Sequence, residues 1–408
     1  MKKLGFHYFQ DTKHYRQQDI QTWIPRLQAL GTSWLTLVAP LTHAIPEAFL
    51  QGLKKAGIKP LLHFPLLFDQ IPSKEDIRLL FKTYASRGVK HVILFEKPNT
   101  RSRWGTISWA KTNLVERFLD LYIPLAEEAL KAGLVPVFPP LEQGGDYWDT
   151  TFLWTALEDI HRRGHSQLLD SLVLSVDANA NGHPLNWGEG GPERWPEARP
   201  YFTPPGAQDQ RGFRIVDWYS AISQSVLGKT IPIFMLHLGG DGDDKQRDKN
   251  IITLLNDKFL EGQEPLPPEV MAGMFWLLTT DAESEFLPQA WYKPKSKTHS
   301  IFEDLRQTTL GPEPKEKQEI CLSHYLLLPT YDGNVTDWHL EVTRGFVKNH
   351  QPTIGFSLAE ATHAQRVTVI GGESGFSDAE LSKLRTQGCL VRRITGDGTE
   401  IAAKLAAL

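Results

Sequence analysis

The 408-residue chain lacks several features that would assign it to particular classes of protein. It has two cysteines, Cys321 and Cys389, too few for a disulfide scaffold or a zinc ribbon. No apolar run reaches the roughly 18 residues that a membrane-spanning helix needs, so membrane insertion is not expected. The net charge of -4, without a long basic stripe, gives no electrostatic footprint for nucleic acid. No apolar leader follows Met1, so a cytoplasmic protein is the default expectation, with an extracellular location left open.

Short β-type runs alternate with amphipathic helical patterns over the first three quarters of the chain. Eight such units over roughly 300 residues predict a (β/α)8 TIM barrel, with a doubly wound open sheet as the competing fold. Five glycines stand between a predicted helix and the next strand, as helix stop signals do: Gly31, Gly57, Gly88, Gly133 and Gly228. The predicted strands are 4–9, 34–39, 59–64, 91–95, 135–138, 171–176, 231–236 and 270–278. The predicted helices are 20–30, 46–56, 74–87, 114–132, 152–163, 212–227, 249–260 and 289–306.

A hydrophilic stretch from Gly311 to Lys317 separates the barrel from a second region. We therefore predict a barrel over 1–310, a linker over 311–320, and a small α/β domain over 321–408 with a short parallel sheet. The glycine-rich turn 369–375 resembles a phosphate-binding turn but lacks dinucleotide-binding spacing, and a tight strand-to-helix turn explains it equally well. In the small domain the predicted strands are 323–328, 366–370 and 390–394, and the predicted helices are 337–349, 378–387 and 399–408.

Charged and imidazole side chains recur at the ends of the predicted barrel strands. The carboxyl ends of these strands meet at one face, where binding and catalytic residues lie. Cleavage of a glycosidic bond needs one acid to protonate the leaving oxygen and a second carboxylate as nucleophile or base. We therefore predict Glu96 as the acid and Asp177 or Glu283 as the second carboxylate, solvation or helix capping being their alternative roles. The substrate-binding residues predicted at the same face are His7, His63, Lys97, Asn99, His237 and Trp276.

Several of the 12 tryptophans fall in glycine- and proline-rich segments rather than in helices. A pyranose stacks its apolar face on an aromatic ring, while its hydroxyls need polar neighbours. The loop of about thirty residues after the sixth strand carries Trp187, Trp195 and Tyr201, which we predict to bind sugar rings. The alternative is a plug that covers the barrel mouth and buries its own tryptophans. The predicted partner is an oligosaccharide or polysaccharide.

Histidines at strand ends raise a metal-dependent hydrolase as a minor alternative. His7, His63, His183 and His237 with Asp177 could surround a metal, but the His-x-His pair usual on the first strand of such enzymes is missing. Histidines at this face more often bind substrate hydroxyls, so no metal and no cofactor is predicted. The acidic turn 239–244 resembles a calcium loop without the required twelfth-position glutamate, and we interpret it as a solvated loop.

The barrel resembles glycoside hydrolases of the clan A type, in outline over residues 1–306. In that family the fourth strand ends in an Asn-Glu-Pro motif that contains the acid/base, the seventh ends in the nucleophilic glutamate, and the eighth carries a tryptophan. Trp276 matches that tryptophan, and Ala290-Trp291-Tyr292 resembles the stretch that follows it. When Glu96-Lys97-Pro98-Asn99 is aligned on Pro-Asn, Lys97 stands at the acid position, and His237 stands at the nucleophile position.

The resemblance implies a protein that acts on a saccharide at the barrel mouth, with both catalytic positions substituted. A slip of one residue would make Glu96 the acid of an active hydrolase. Otherwise the barrel binds carbohydrate, such as a cell-wall polysaccharide, without hydrolysing it. Lysine is a poor acid for glycoside chemistry unless burial lowers its pKa far, and histidine seldom serves as a glycosyl nucleophile. The substitutions favour loss of the standard mechanism.

A second, weaker resemblance covers about 45 residues of the small domain. Three motifs are similar to one unit of the cell-wall-binding repeat of surface proteins. They are Val-Thr-Val-Ile-Gly-Gly at 367–372, Leu-Arg-x-x-Gly at 384–388 and Val-Arg-Arg-Ile at 391–394.

Overall fold

The computed structural model describes residues 3–104, 106–239, 250–251, 253–260, 266–293, 322–331, 337–386 and 389–408. The chain divides into two compact units, Met1–Glu313 and Pro314–Leu408. The division falls inside the predicted linker 311–320, and the linker itself lies outside the described residues. None of the described helices has both the length and the apolar composition needed to cross a membrane.

The first unit is a closed barrel of eight parallel strands, which confirms the predicted (β/α)8 fold. Each strand pairs with the next along the chain, and β1 also pairs with β8, so the open-sheet alternative is wrong. The strands are β1 (Leu4–His7), β2 (Trp34–Val38), β3 (Lys59–Phe64), β4 (His91–Leu94), β5 (Val135–Phe138), β6 (Val173–Asp177), β7 (Ile233–Leu238) and β8 (Val270–Phe275).

Helices cover the outside of the barrel and follow the predicted pattern closely. The five predicted stop glycines all have positive φ, between 68° and 86°, which a residue with a Cβ rarely adopts. The helices are α1 (Gln17–Ala29), α2 (Glu47–Lys55), α3 (Lys74–Ser86), α4 (Thr106–Trp109), α5 (Leu114–Lys131), α6 (Asp149–Arg162), α7 (Ser166–Ser171), α8 (Gly191–Arg194) and α9 (Ile215–Leu227). A π-helical turn covers Leu255–Leu260, within the helix predicted at 249–260.

The predicted eighth helix, 289–306, is wrong where the structure describes it. Leu287–Gln289 form a short 3-10 turn, and Ala290 beyond it has an extended backbone. Residues 294–306 lie outside the described part of the chain. The start of the sixth strand also differs, because Ser171 ends helix α7 and the strand begins at Val173.

The barrel interior is filled by side chains rather than open. Gly5 on β1 provides space there, since a Cβ at this position would lie 2.2 Å from the sulfur of Met274 on β8. The closed interior confines any ligand site to the barrel ends. The interior cluster consists of Trp34, Leu61, Ile93, Val137, Val173, Phe234, Leu236, Ala272 and Met274.

The second unit is a small α/β domain with a short parallel sheet, as the sequence predicts, but the sheet has four strands rather than the three predicted. Two separate apolar clusters, one containing Leu327 and Val369 and the other Leu326 and Ile370, pack on opposite faces of the sheet. In sheet order the strands are β10 (Thr353–Gly355), β9 (Leu322–Leu327), β11 (Ala364–Ile370) and β12 (Leu390–Ile394). Its helices are Asp337–His350, Leu358–Ala361, Asp378–Thr386 and Gly398–Ala406.

Candidate ligand-binding site at the barrel mouth

The carboxyl ends of the barrel strands open onto a polar cavity of about 490 Å³. That volume lies within the range of small-molecule sites. Six of the predicted site residues line it: His63, Glu96, Lys97, Asp177, His237 and Trp276. The other lining residues are Gln10, Val38, Pro65, Arg103, Glu142, Gln143, Asn179, Asn181, Phe286 and Gln289.

Non-glycine residues with positive φ concentrate at this mouth. Phe95 (φ 69°) and Lys97 (φ 48°) follow β4, and His237 (φ 56°) lies near the end of β7, where the pairing register with β8 shifts. Asn181, which also lines the cavity, has a φ of 49°. Such conformations are costly for residues with a Cβ, and proteins retain them mostly at functional positions. The backbone is therefore in a costly conformation where β4 and β7 end, beside the cavity.

Lys97 and His237 both pair with the buried carboxylate of Asp177. The Lys97 ammonium lies 3.1 Å from Asp177 Oδ2 and also pairs with Glu142 from the loop after β5. His237 Nδ1 lies 3.3 Å from the same Oδ2. Burial would raise the pKa of Asp177, but His237 and Lys97 hold this pKa well below its usual range. Burial would likewise lower the pKa of Lys97, and Asp177 and Glu142 raise it instead. The Asp177 carboxylate and the Lys97 ammonium are therefore both charged at neutral pH.

Glu96 pairs with Arg103, from the 3-10 turn Arg101–Arg103. Burial would raise the pKa of the Glu96 carboxyl, but the neighbouring His63 and Arg103, followed by His237 and Lys97, lower it. Glu96 is therefore ionised at neutral pH, as Asp177 is.

Two histidines with lowered pKa values lie beneath the charged groups. The ring of His7 stacks on that of His237 with centroids 4.6 Å apart, and His7 Nε2 accepts a hydrogen bond from the His237 backbone N–H at 3.4 Å. Burial, followed by His237 and His63, holds the pKa of His7 well below its usual range. His63 donates from Nε2 to the Phe95 carbonyl at 3.0 Å, and burial is the main cause of its lowered pKa. Both imidazoles are therefore neutral at neutral pH.

Trp276, at the end of β8, packs edge-on against both His7 and His237. Its indole N–H donates to Gln289 Oε1 at 2.6 Å, and the peptide bond that follows it is cis. Trp276 therefore places an aromatic ring beside His237, which pairs with Asp177.

Several polar residues of the mouth were not among the predicted site residues. Gln143 donates to the backbone carbonyls of Asp177 and Asn179 and accepts from the Asn181 amide. The segment Ala178-Asn179-Ala180-Asn181 follows directly on β6, which ends at Asp177. The rule that favoured Asp177 would also have selected these amides, because they too follow the carboxyl end of a strand.

Six of the predicted site residues do not line the cavity: His7, Asn99, Glu283, Trp187, Trp195 and Tyr201. Asn99 is fully buried and joins the loops after β4 and β5, since its amide donates to the carbonyls of Glu142 and Tyr147 and its oxygen accepts from the Glu142 N–H. It cannot reach a ligand in that position. Glu283 is exposed on the loop after β8 and lines a neighbouring depression instead of the cavity that holds Glu96 and Asp177. The structure therefore does not place it as their partner.

The aromatic side chains of the loop after β6 do not line the mouth cavity either. Trp187 stacks on His183 and donates to Asp209, and Trp195 donates to the Glu189 carbonyl. Tyr201 packs on Trp148 and its oxygen accepts that residue's backbone N–H. Trp187 and Trp195 contact residues of the same loop, and Tyr201 contacts Trp148 at the start of α6, so the binding of sugar rings by these three residues stays a prediction.

The histidines of the mouth do not form a metal-ligand group in the described part of the chain. His183 stacks on Trp187, away from His7, His63 and His237. Among the described residues, the one group with ligand spacing is Asp11, His14 and Asp281 at the rim. There the two nitrogens of His14 face different carboxylates, Nδ1 at 2.9 Å from Asp11 and Nε2 at 3.4 Å from Asp281. The acidic turn 239–244, which we interpret as a solvated loop, lies outside the described residues except for Gly239.

No family model and no curated protein matches this chain. The resemblance of the small domain to a cell-wall-binding repeat therefore stays a prediction. Several solved structures resemble the barrel in fold. Beta-glucuronidase 2 of Bacteroides uniformis has 11% identity and a TM-score of 0.44, and the match covers 81% of this chain but only 38% of that one.

Two other solved structures match over most of their own length. A GH128 (subgroup II) endo-beta-1,3-glucanase from Sorangium cellulosum has 13% identity, a TM-score of 0.41, and coverage of 74% of this chain and 96% of that one. A psychrophilic glycoside hydrolase family 10 endo-beta-1,4-xylanase has 8% identity, a TM-score of 0.44, and the same two coverages. Likenesses with TM-scores below 0.5 do not identify an activity.

Proposed function

We propose that this barrel binds a saccharide at its mouth and does not hydrolyse it by the two-carboxylate mechanism of glycoside hydrolases. The observation that carries the proposal is the pairing of Lys97 and His237 with Asp177. These two residues stand at the positions where the clan A resemblance places the acid and the nucleophile, and both engage the nearest buried carboxylate instead.

The composition of the cavity supports a saccharide as the ligand. Sugar hydroxyls need donors and acceptors, which Gln143, Asn179 and Asn181 supply together with the carboxylates, and the apolar face of a sugar ring packs on an aromatic side chain such as Trp276. A site for an apolar ligand would instead have few charged groups.

The protonation states argue against hydrolysis. A glycosidase needs one carboxylic acid that keeps its proton until it reaches the leaving oxygen, so its pKa must be raised. Glu96 and Asp177 both have lowered pKa values because each has a cation beside it. The competing function is hydrolysis with Glu96 as acid and Asp177 as the second carboxylate, and it is favoured only by their common position on one cavity wall.

A thermal-shift screen of neutral, basic and acidic oligosaccharides, followed by calorimetric titration of the best ligand, tests the proposal. Trp276→Ala should weaken binding about tenfold or more, because the stacking surface is lost. The control is Trp154→Ala, since Trp154 is 43% exposed on α6 and lies outside the cavity. Absence of binding across the panel, or equal losses in the two variants, would contradict a saccharide site at the mouth.

A further inference from the structure

Resting on the proposed function, we propose that the mouth selects a saccharide with a free, protonated amino group and disfavours acidic saccharides. The shape and polarity of the cavity alone do not distinguish neutral, basic and acidic saccharides. It is carried by the balance of fixed charges on the cavity wall and by a buried carboxylate oxygen that has no partner.

Negative charge exceeds positive charge among the described residues that line the cavity. Two histidines also line it: His63 is held neutral by burial, and His237 already faces Asp177. The three carboxylates of the wall outnumber its lysine and arginine by one, and a ligand carboxylate would add to this excess. The charged lining residues are the acids Glu96, Glu142 and Asp177 and the bases Lys97 and Arg103.

Asp177 retains an acceptor that the protein does not use. Lys97 and His237 both approach Oδ2 of Asp177, whereas Oδ1 is buried and has no hydrogen-bond partner among the described residues. A buried acceptor without a partner is costly, so a donor from a ligand or a water molecule is needed there. The side chain is only 8% exposed, which makes the pairing with a ligand cation strong compared with a surface pair.

Glu142 is the more exposed of the two carboxylates that pair with Lys97. Its side chain is 43% exposed, and Lys97 already bridges it to Asp177. The two carboxylates thus share one ammonium from the protein, and Glu142 is exposed enough to accept a further donor from a ligand. An amino group on a sugar ring offers the same donors, three N–H bonds on a positive charge.

Three β-1,4-linked tetramers with one backbone test the selectivity: one of glucosamine, one of glucose and one of glucuronic acid. Each is titrated into the full-length protein at slightly acidic pH, where the sugar amine is protonated. The glucosamine tetramer should bind at least about tenfold more tightly than the glucose tetramer, and the glucuronic acid tetramer should bind most weakly. The preference should shrink between about 0.02 M and about 0.5 M salt, because it is electrostatic.

Glu142→Gln should remove most of this preference, because the glucosamine tetramer should lose more affinity than the glucose tetramer. Glu283→Gln is the matched control, since it removes the same charge from an exposed residue outside the cavity. Equal binding of the glucosamine and glucose tetramers would overturn the inference and leave the proposed function standing. Failure of all three to bind would also overturn it, and the wider oligosaccharide panel then decides separately whether any saccharide binds.

Discussion

Lys97 connects two carboxylates that arise from different strands of the barrel. Its ammonium pairs with Glu142 after β5 and with Asp177 at the end of β6. Removing one member of a buried ion pair leaves an uncompensated charge, and this cost usually exceeds that of breaking a surface pair.

Lys97→Met should therefore lower the free energy of unfolding by about 1–3 kcal/mol, the figure being moderated by the partial exposure of Lys97. Lys229→Met is the control, because Lys229 pairs with Asp170 on the surface, where the two side chains are 44% and 72% exposed. That change should cost at most about 1 kcal/mol. Urea denaturation of both variants measures the difference, and equal costs would contradict a buried network at the mouth.

Asp149, at the start of α6, is fully buried and accepts hydrogen bonds from the Gly144 N–H, Gln210 and Tyr219. Burial raises its pKa to about 6, even though these hydrogen bonds oppose the rise. In the unfolded chain the pKa is about 3.9. Between these two pH values the folded protein holds a proton that the unfolded chain has lost. The contribution of Asp149 to stability is therefore fully present below about pH 4 and is lost as the pH rises through about 6.

Asp149→Asn should remove this pH dependence. The free energy of unfolding of the variant, relative to that of the natural protein, should increase by about 3 kcal/mol between pH of about 4 and about 7.5. Denaturant titrations of both proteins across that range measure the shift. A difference between the two proteins that does not change with pH would mean that Asp149 is ionised in the folded state throughout.

The residues of the mouth were predictable from the sequence where they lie at strand ends. His63, Glu96, Lys97, Asp177, His237 and Trp276 follow directly from the strand pattern. The role of Asn99 was not predictable, because its position after β4 does not reveal that its amide donates to the backbone of the loop after β5. Whether a side chain at a strand end enters the cavity depends on loop packing, which has no period in the sequence.

At the level of secondary-structure elements, the long loop between β6 and α9 depends on one buried carboxylate. Asp209 is 1% exposed and accepts hydrogen bonds from Trp187, Thr203 and Arg211. The bond from Trp187 links residues 22 positions apart along the loop, whereas the bonds from Thr203 and Arg211 are local. The loop is therefore expected to be ordered by its own contacts.

Asp209→Ala should open this loop locally without unfolding the barrel. Trypsin cleavage after Arg194, which is exposed, should accelerate about tenfold, because several hydrogen bonds are lost at once. Asp170→Ala removes an exposed carboxylate and should leave the cleavage rate unchanged. Limited proteolysis with mass spectrometry of the fragments distinguishes the two, and an unchanged rate for Asp209→Ala would show that other contacts order the loop.

Strand and helix positions were predicted well where an apolar period is long. β3 and β5 were predicted to the residue, and α5 differs from its prediction by one residue. β10 was missed because it has three residues, two of them exposed, at the edge of the small sheet. The eighth helix was placed wrongly over 289–293, since an apolar period alone does not reveal the 3-10 turn and extended backbone found there.

At the level of the whole molecule, the two units have separate apolar cores. Units with their own cores generally unfold as independent cooperative transitions. Calorimetry of the full chain should show two transitions, and a chain that ends at residue 313 should show only one of them at the same temperature. A single transition, or a truncated chain that fails to fold, would contradict the independence of the units.

The most direct test of the proposed function is the fate of the saccharide that binds most tightly at the mouth. The bound oligosaccharide is incubated with a large molar excess of protein, and new reducing ends are measured by chromatography and mass spectrometry. Because Glu96 and Asp177 are ionised and paired with cations, we predict saturable binding and no product above the rate without protein. Steady product formation that Glu96→Gln or Asp177→Asn abolishes would contradict this account and establish a hydrolase.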